Sequence, residues 1–469
     1  MEKVSLMHMR RKAVVNVLRT WREIAGTARL KVTGKIDPSL PKEDLEYIRK
    51  NMQECLYSKG GEVTARAYTV ELGKTYLGLN ETGKAKFLRL LAEEFDLDNE
   101  ALKKKIDAWN QAKEGDAKTK AEHDMRDAMV TPRTTILKQF NALPNGFKFL
   151  VDLRADLLAF CIKDSAMKGL EYDLKSLLAN WFDVGLLDLV EITWNSPASL
   201  LEKLINYEAV HKIVSWDDLK NRLDVDRRVF AFLHNKMPSE PLIFVHVALV
   251  KGLSDNVQTL LDQSSPVMDL DDADTAIFYS ISNAQKGLVG ISFGNFLIKR
   301  VVDKITREMK QIKHFSTLSP VPGFRAWLDP LLEKGEDNIL TPSEIKDIRS
   351  LSKDGNQALL SLLNSNWAND AKIENRLKSI LIRLCSSYLL QEKKGKKATL
   401  DPVAHFHLTN GSRLERINWL GDTSSKGMKQ SAGLMVNYYY DLDDIDENHE
   451  KYVSGGVITT ARPIKALIK

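Results

Sequence analysis

The sequence predicts an α+β protein: an all-α helical bundle domain over residues 1–180, then an α/β domain over residues 181–469 that carries the chemistry. Two observations predict this. Before about residue 186, apolar residues recur only at helical spacing, with no strand signal of any length. Beyond it, β-branched apolar runs alternate with amphipathic helical segments.

In the first part, Val14, Val17, Leu18 and Trp21 fall on one helical face, as do Phe87, Leu90, Leu91 and Phe95. Lys103 to Asp124 is charged and predicted to be solvated, with Gly115 as a break. Thr134 to Ala159 is apolar-periodic around a second break, Pro144-Asn145-Gly146, and Leu174 to Phe182 reads as one more amphipathic helix. Helices with one apolar stripe each bury it against one another, which is the architecture of a bundle.

In the second part, Leu187 to Trp194 is partly alternating and β-branched, and so predicts a strand. Leu242 to Leu249, started after Pro241, reads as a buried strand, and Ala276 to Ser282 as another. Helices are predicted at Ser199 to Ile205 and Leu297 to Met309. Later strands are expected near Ile312 to Leu318, at Phe406 and at Leu434 to Tyr440. Lys393 to Lys397 reads as a basic loop and Asp441 to Glu450 as an acidic one.

Composition narrows the function classes. Of 469 residues, 43% are hydrophobic and 28% charged, which excludes a disordered or fibrous chain. A net charge of +5, from 68 basic and 63 acidic residues, is too mild to require a nucleic acid or a membrane surface as partner. It suits an anionic small substrate held by a local patch. Cys55, Cys161 and Cys385 are far apart, so neither a disulfide framework nor a zinc knuckle is indicated, and a reducing cytoplasm is the expected setting. The basic start, with Arg10, Arg11, Lys12 and Arg19 around Val14, Val15 and Val17, leaves a mitochondrial presequence open. No apolar run approaches the roughly 20 residues that span a bilayer.

Three segments could carry chemistry. After the strand ending at Ser282, the run Gln285 to Gly294 holds Gly287, Gly290 and Gly294 and leads into a helix. Glycines there let backbone N–H groups turn toward an anion at a helix N-terminus, although a plain tight connection has the same pattern. Ser319 stands before Pro320, which pushes it to extended geometry and aims its side chain. A serine hydroxyl acts chemically only beside a base, and otherwise it is a turn residue. The third segment is Phe406-His407-Leu408-Thr409-Asn410-Gly411, followed by Arg413, Glu415, Arg416, Asn418, Trp419 and Asp422, where His, Arg and Trp crowd between apolar runs. If Val403 to Leu408 is a strand, His405 and His407 share a side. No Asp or Glu is spaced there as a metal ligand, so no metal site is expected. Tyr438 and Tyr440 fall on one face of the last strand, His246 reads as a satisfied core residue, and Cys161 and Cys385 as small buried hydrophobes.

The glycine turn resembles the pyrophosphate-binding turn of GNAT-type acetyltransferases, at looser spacing. Several blocks taken together resemble malonyl-CoA decarboxylases: His234 to Leu242, Ala276 to Ser282, Gly294 to Val302, Phe315 to Phe324, Asp401 to Asn410, Arg416 to Trp419 and Gly433 to Tyr440. The likeness covers about residues 170 to 460 and is weaker in the helical part. It implies a self-associating helical domain, a GNAT-like catalytic domain, and a homo-oligomer, dimer or tetramer. The family's serine and histidine fall on Ser319 and His407 and its active-site tyrosine on Tyr440. Its malonyl-CoA loop falls on Val289, Gly290, Ile291, Ser292, Phe293, Gly294 and Asn295. Some members carry glutamate where this chain has Ser292, so no carboxylate acts at that position here. The implied activity is decarboxylation of malonyl-CoA to acetyl-CoA and CO2 with no metal or organic cofactor. A Ser/His pair would protonate the enolate, and the order in which the two residues pass the proton is left open. The competing readings are an acyltransferase using the same CoA seat and a non-catalytic CoA-binding regulator.

Overall fold

Among the described residues, those up to residue 181 are mostly helical. The computed structural model describes residues 21, 36–57, 61–291, 296–335, 339–352, 354 and 357–468. The expected helical face at Val14, Val17 and Leu18, the possible presequence and the loop positions Ser292 to Asn295 lie outside these residues. The described helices are α1 (Lys42–Tyr57), α2 (Gly61–Gly78), α3 (Glu81–Glu94), α4 (Asn99–Gln111), α5 (Asp116–Ala128), α6 (Pro132–Asn141), α7 (Gly146–Cys161) and α8 (Lys168–Trp181).

Their boundaries follow local chemistry. Asn80 and Asp98 accept the first free amides of α3 and α4, and Thr131 does so for α6 ahead of Pro132. Gly115 takes φ 102° between α4 and α5, the two charged helices, neither of which has a buried residue. The aromatic core of the other helices is tight: Phe140 and Phe149 lie 4.8 Å apart, Tyr76 and Phe87 5.1 Å, Trp21 and Phe149 5.3 Å.

Chain contacts define two compact units. One comprises residues 1–188, 233–242 and 283–293, and the other residues 189–232, 243–282 and 294–469. The second is built on a mixed sheet. Its strands are β1 (Leu187–Ile192), β2 (Arg227–His234), β3 (Ile243–Val250), β4 (Thr275–Asn283), β5 (His314–Thr317), β6 (Ser319–Pro320), β9 (Arg413–Asn418) and β10 (Met435–Tyr439). A separate hairpin joins β7 (Lys393–Lys394) to β8 (Ala398–Thr399). The sheet order is β1-β2-β3-β4-β5-β10-β6, with β9 also on β10. β4 and β5 run parallel, whereas β10 is antiparallel to β5, β6 and β9. β3 and β4 are buried nearly throughout, as their continuous apolar runs predict.

The second unit's helices are α9 (Ala198–Tyr207), α10 (Trp216–Asn221), α11 (Val257–Leu261), α12 (Phe296–Glu308), α13 (Phe324–Lys334), α14 (Pro342–Arg349), α15 (Ala358–Leu363), α16 (Ala371–Leu390), α17 (Pro402–Thr409), α18 (Ser425–Ser431), α19 (Ile445–Gly455) and α20 (Arg462–Ala466). Helices α13 to α16 form a layer that the sequence reading did not anticipate. Phe324, Leu328, Leu377, Leu381 and Tyr388 from it share a buried core with Leu408, Val436 and Tyr438.

Three expectations are corrected. Phe406 lies in helix α17, not in a strand, because Asp401-Pro402 supplies an N-cap and a first-turn proline. Lys393 to Lys397 opens the β7–β8 hairpin rather than a plain loop, and the acidic stretch after Asp441 enters α19. Strand β2 was not anticipated at all. Among the described residues no helix is long and apolar enough to cross a membrane.

Candidate active site

Ser319 is delivered by the sheet. β5 ends at Thr317, the Leu318 amide bonds Phe278 O at 3.0 Å, and Ser319 pairs in register with Val436 of β10. The extended geometry expected before Pro320 is thus locked by strand pairing. The turn Val321-Pro322-Gly323 then leads into α13. Ser319 is only 5% exposed.

His407 is delivered by α17. The Asp401 carboxylate caps this helix, accepting the Val403 and Ala404 amides at 3.0 and 2.9 Å. The same carboxylate accepts the Gly323 amide at 3.4 Å and the Tyr388 hydroxyl at 3.3 Å. One buried side chain therefore ties the serine's turn to the histidine's helix. On a helix, positions two apart point away from each other, which overturns the shared side expected for His405 and His407. His405 Nδ1 meets the Tyr452 hydroxyl at 2.8 Å, while His407 turns to the serine.

Tyr440 follows β10, held by its amide on Phe315 O at 2.8 Å. The three residues expected to do the chemistry are brought into one line. Ser319 Oγ lies 3.0 Å from His407 Nε2, and His407 Nδ1 lies 2.8 Å from the Tyr440 hydroxyl. Two further side chains complete the line. Ser319 Oγ donates to Thr317 Oγ1 at 2.9 Å, and the Tyr438 ring stacks on His407 with centroids 4.6 Å apart and planes at 22°.

Burial sets the electrostatics. It pushes the His407 imidazole down to about 3 and holds the Tyr438 and Tyr440 hydroxyls well above their usual range. The line is accordingly uncharged near neutrality: hydroxyl, neutral imidazole, hydroxyl. Among the described residues no group of three His, Cys, Asp or Glu is placed to hold a metal ion.

The glycine turn is built separately, in the first unit. Val289 is exposed, Gly290 takes φ 74°, and Ile291 is buried. Beside them is a cavity of about 110 Å³ lined by Leu242, Asn283, Gln285, Leu288, Val289, Gly290 and Ile291. Arg154 of α7 is buried, pairs with Glu171 at 2.6 Å, and donates to Gly287 O at 2.5 Å and Val289 O at 3.0 Å. At Gly287, a Cβ would sit 1.7 Å from Val151 O, so only glycine lets the turn approach α7 this closely.

Comparison with known proteins decides the family. Residues 185–469 match the family model for the malonyl-CoA decarboxylase C-terminal domain, and residues 95–182 match the one for its N-terminal domain. The chain belongs to the malonyl-CoA decarboxylase family. It is 38% identical over 423 residues to the mitochondrial malonyl-CoA decarboxylase of Anser anser anser, covering 86% of this chain and 84% of the goose protein. The Rattus norvegicus protein of the same name is 37% identical over 411 residues, 84% of this chain and 83% of its own. Among solved structures, malonyl-CoA decarboxylase from Rhodopseudomonas palustris superposes with a TM-score of 0.83 at 40% identity, covering 90% of this chain and 99% of that one. The one from Agrobacterium vitis gives 0.81 at 37%, covering 90% and 100%.

For this member of the malonyl-CoA decarboxylase family, sequence reasoning missed Thr317, Asp401 and Arg154. Asp401 had a legible signal in its place before Pro402. Thr317 and Arg154 had none, since their roles depend on partners brought near by folding. His246, read as a core residue, is fully buried in β3 with Nε2 3.3 Å from the Glu208 carboxylate.

Proposed function

We propose that the chain decarboxylates malonyl-CoA to acetyl-CoA and CO2, with Ser319, His407 and Tyr440 as its catalytic residues. One observation carries this: the three side chains form an uncharged, buried hydrogen-bonded line in a chain of this family. Loss of CO2 leaves the bonding electron pair on the α-carbon, delocalised as the thioester enolate. Neutral donors can stabilise charge on the thioester oxygen without first being neutralised by it. A proton then goes to the α-carbon, giving the acetyl thioester, and the Ser319–His407 pair supplies it as general acid and relay. Exclusion of water favours a step that disperses the carboxylate charge. The reaction needs no metal or organic cofactor.

In this reading Val289 to Asn295, with Ser292 in place of the glutamate of some relatives, seats the CoA thioester. The sheet unit is GNAT-like, residues 1–180 serve self-association into a dimer or tetramer, and the enzyme works in the cytoplasm or the mitochondrial matrix. The family resemblance supports these assignments, and the named mitochondrial relatives support the second compartment. The test is release of acetyl-CoA and CO2 from malonyl-CoA by purified protein without an acceptor, beside Ser319→Ala and His407→Ala. Turnover that collapses in both folded variants is expected. Turnover appearing only when an amine acceptor is added would replace the decarboxylase with an acyltransferase.

A further inference from the structure

We propose that Thr317 is a positioning residue that fixes the direction of the Ser319–His407–Tyr440 line, and with it the tautomer of His407. The inference rests on the decarboxylase reading for its kinetic consequence, but not for its geometry. The Ser319 hydroxyl donates to Thr317 Oγ1 at 2.9 Å. A hydroxyl has one proton, so with that proton on Thr317 the oxygen faces His407 as an acceptor. His407 Nε2, 3.0 Å away, must then carry the hydrogen. A neutral imidazole carries only one, so Nδ1 is an acceptor and receives the Tyr440 O–H at 2.8 Å. The order of donation is Tyr440 to His407 to Ser319 to Thr317.

Thr317 is held rigidly for this task. It is fully buried and pairs with Phe278 across β4 and β5. Its carbonyl accepts Asn437 Nδ2 at 2.7 Å, and its Oγ1 also accepts the Tyr438 amide at 3.1 Å. Asn437 is in turn fixed by Arg416 Nε and Asn418 Nδ2, at 3.0 and 2.9 Å from its Oδ1. An acceptor anchored on both backbone and side chain cannot swing away, so Thr317 offers the Ser319 proton a fixed resting place, in competition with His407 Nε2. That leaves Nε2–H poised to refill Ser319 when the serine gives its proton up.

The experiment compares wild type, Thr317→Val and Thr317→Ser. In wild-type protein labelled with 15N-histidine, with His407→Gln identifying the signals, His407 is expected as the Nε2–H tautomer. Valine keeps the shape of threonine but removes the acceptor, freeing the Ser319 hydroxyl to donate to Nε2. His407 should then move to the Nδ1–H form, with kcat down by roughly tenfold, the worth of one neutral hydrogen bond, and KM little changed. Thr317→Ser, which keeps the hydroxyl, should restore most of kcat and the wild-type tautomer. An Nδ1–H tautomer in wild type overturns the inference, whether or not the valine variant folds. So does a folded Thr317→Val with wild-type kcat, or a Thr317→Ser as impaired as valine. Failure of the wild type to release CO2 would instead strike the decarboxylase reading, with the tautomer still readable.

Discussion

His407 Nδ1 lies 2.8 Å from the Tyr440 hydroxyl, joining a helix to the end of a strand 33 residues later in the chain. Both groups are almost wholly buried, so this bond has no competition from water. It orients the imidazole that faces Ser319. Tyr440→Phe keeps the ring and removes the bond. It should lower kcat by about tenfold, with KM within about twofold and Tm nearly unchanged, because one neutral hydrogen bond is worth up to about 1.4 kcal/mol. Steady-state kinetics with malonyl-CoA checks this, and wild-type kcat in the variant would remove Tyr440 from the mechanism.

Asp401 acts through two segments at once. Asp401→Ala uncaps α17 and leaves the Gly323 amide and the Tyr388 hydroxyl without their carboxylate partner. The expected cost is roughly 2 to 4 kcal/mol of stability together with a fall in kcat. Asp401→Asn retains a capping oxygen and should recover most of both. Denaturant unfolding and kinetics on the same samples separate the two effects, and an alanine variant of unchanged stability would refute the tie.

The neutral histidine has a consequence for acid stability. His407 titrates at about 3 when folded, against an ordinary 6.5, and His211, also driven down chiefly by burial, at about 4. Between those values the unfolded chain binds protons that the folded chain refuses. Their stabilisation is therefore complete above about pH 6.5 and is lost as pH falls toward the folded values, by about 1.4 kcal/mol per pH unit for each group. Tm should drop steadily from pH 7 to pH 5, and less steeply in His407→Gln. Equal slopes in the two proteins would show that His407 does not contribute.

Gly287 gives a prediction for the turn. Gly287→Ala drives a methyl group into Val151 O, so the backbone of the turn or of α7 must move. A loss of about 1 to 3 kcal/mol is expected from overpacking at a rigid contact. If Val289 to Asn295 seats the thioester, KM for malonyl-CoA should rise several-fold while kcat changes less. Calorimetry and kinetics measure the two, and an unaltered KM in a destabilised variant would place the CoA seat elsewhere.

The members of the candidate site carry local marks, but it was the family resemblance that singled them out. Ser319 stands before a proline, His407 interrupts an apolar run, and Tyr440 closes a strand of period two. The strand assigned to Phe406 went wrong because alternation over a few residues outweighed the Asp401-Pro402 helix start, which is the stronger signal. Helices α13 to α16 were passed over even though Thr341-Pro342 and Glu344 form a capping box and Asp370 caps α16.

By itself the sequence determined the helical class of the first part, the buried strands β3 and β4, the break glycines and proline turns, and the residue types available for proton transfer. These depend on spacing and backbone preference, which are local. Only the tertiary structure decided that Thr317, Ser319, His407 and Tyr440 form one line, that Asp401 joins two of its segments, and that Arg154 holds the glycine turn. Hydrogen bonds act over about 3 Å, and residues far apart in the chain reach that distance only when a packed core places them there. The neutrality of His407 was settled in the same way, since burial, not its neighbours in sequence, withholds its proton.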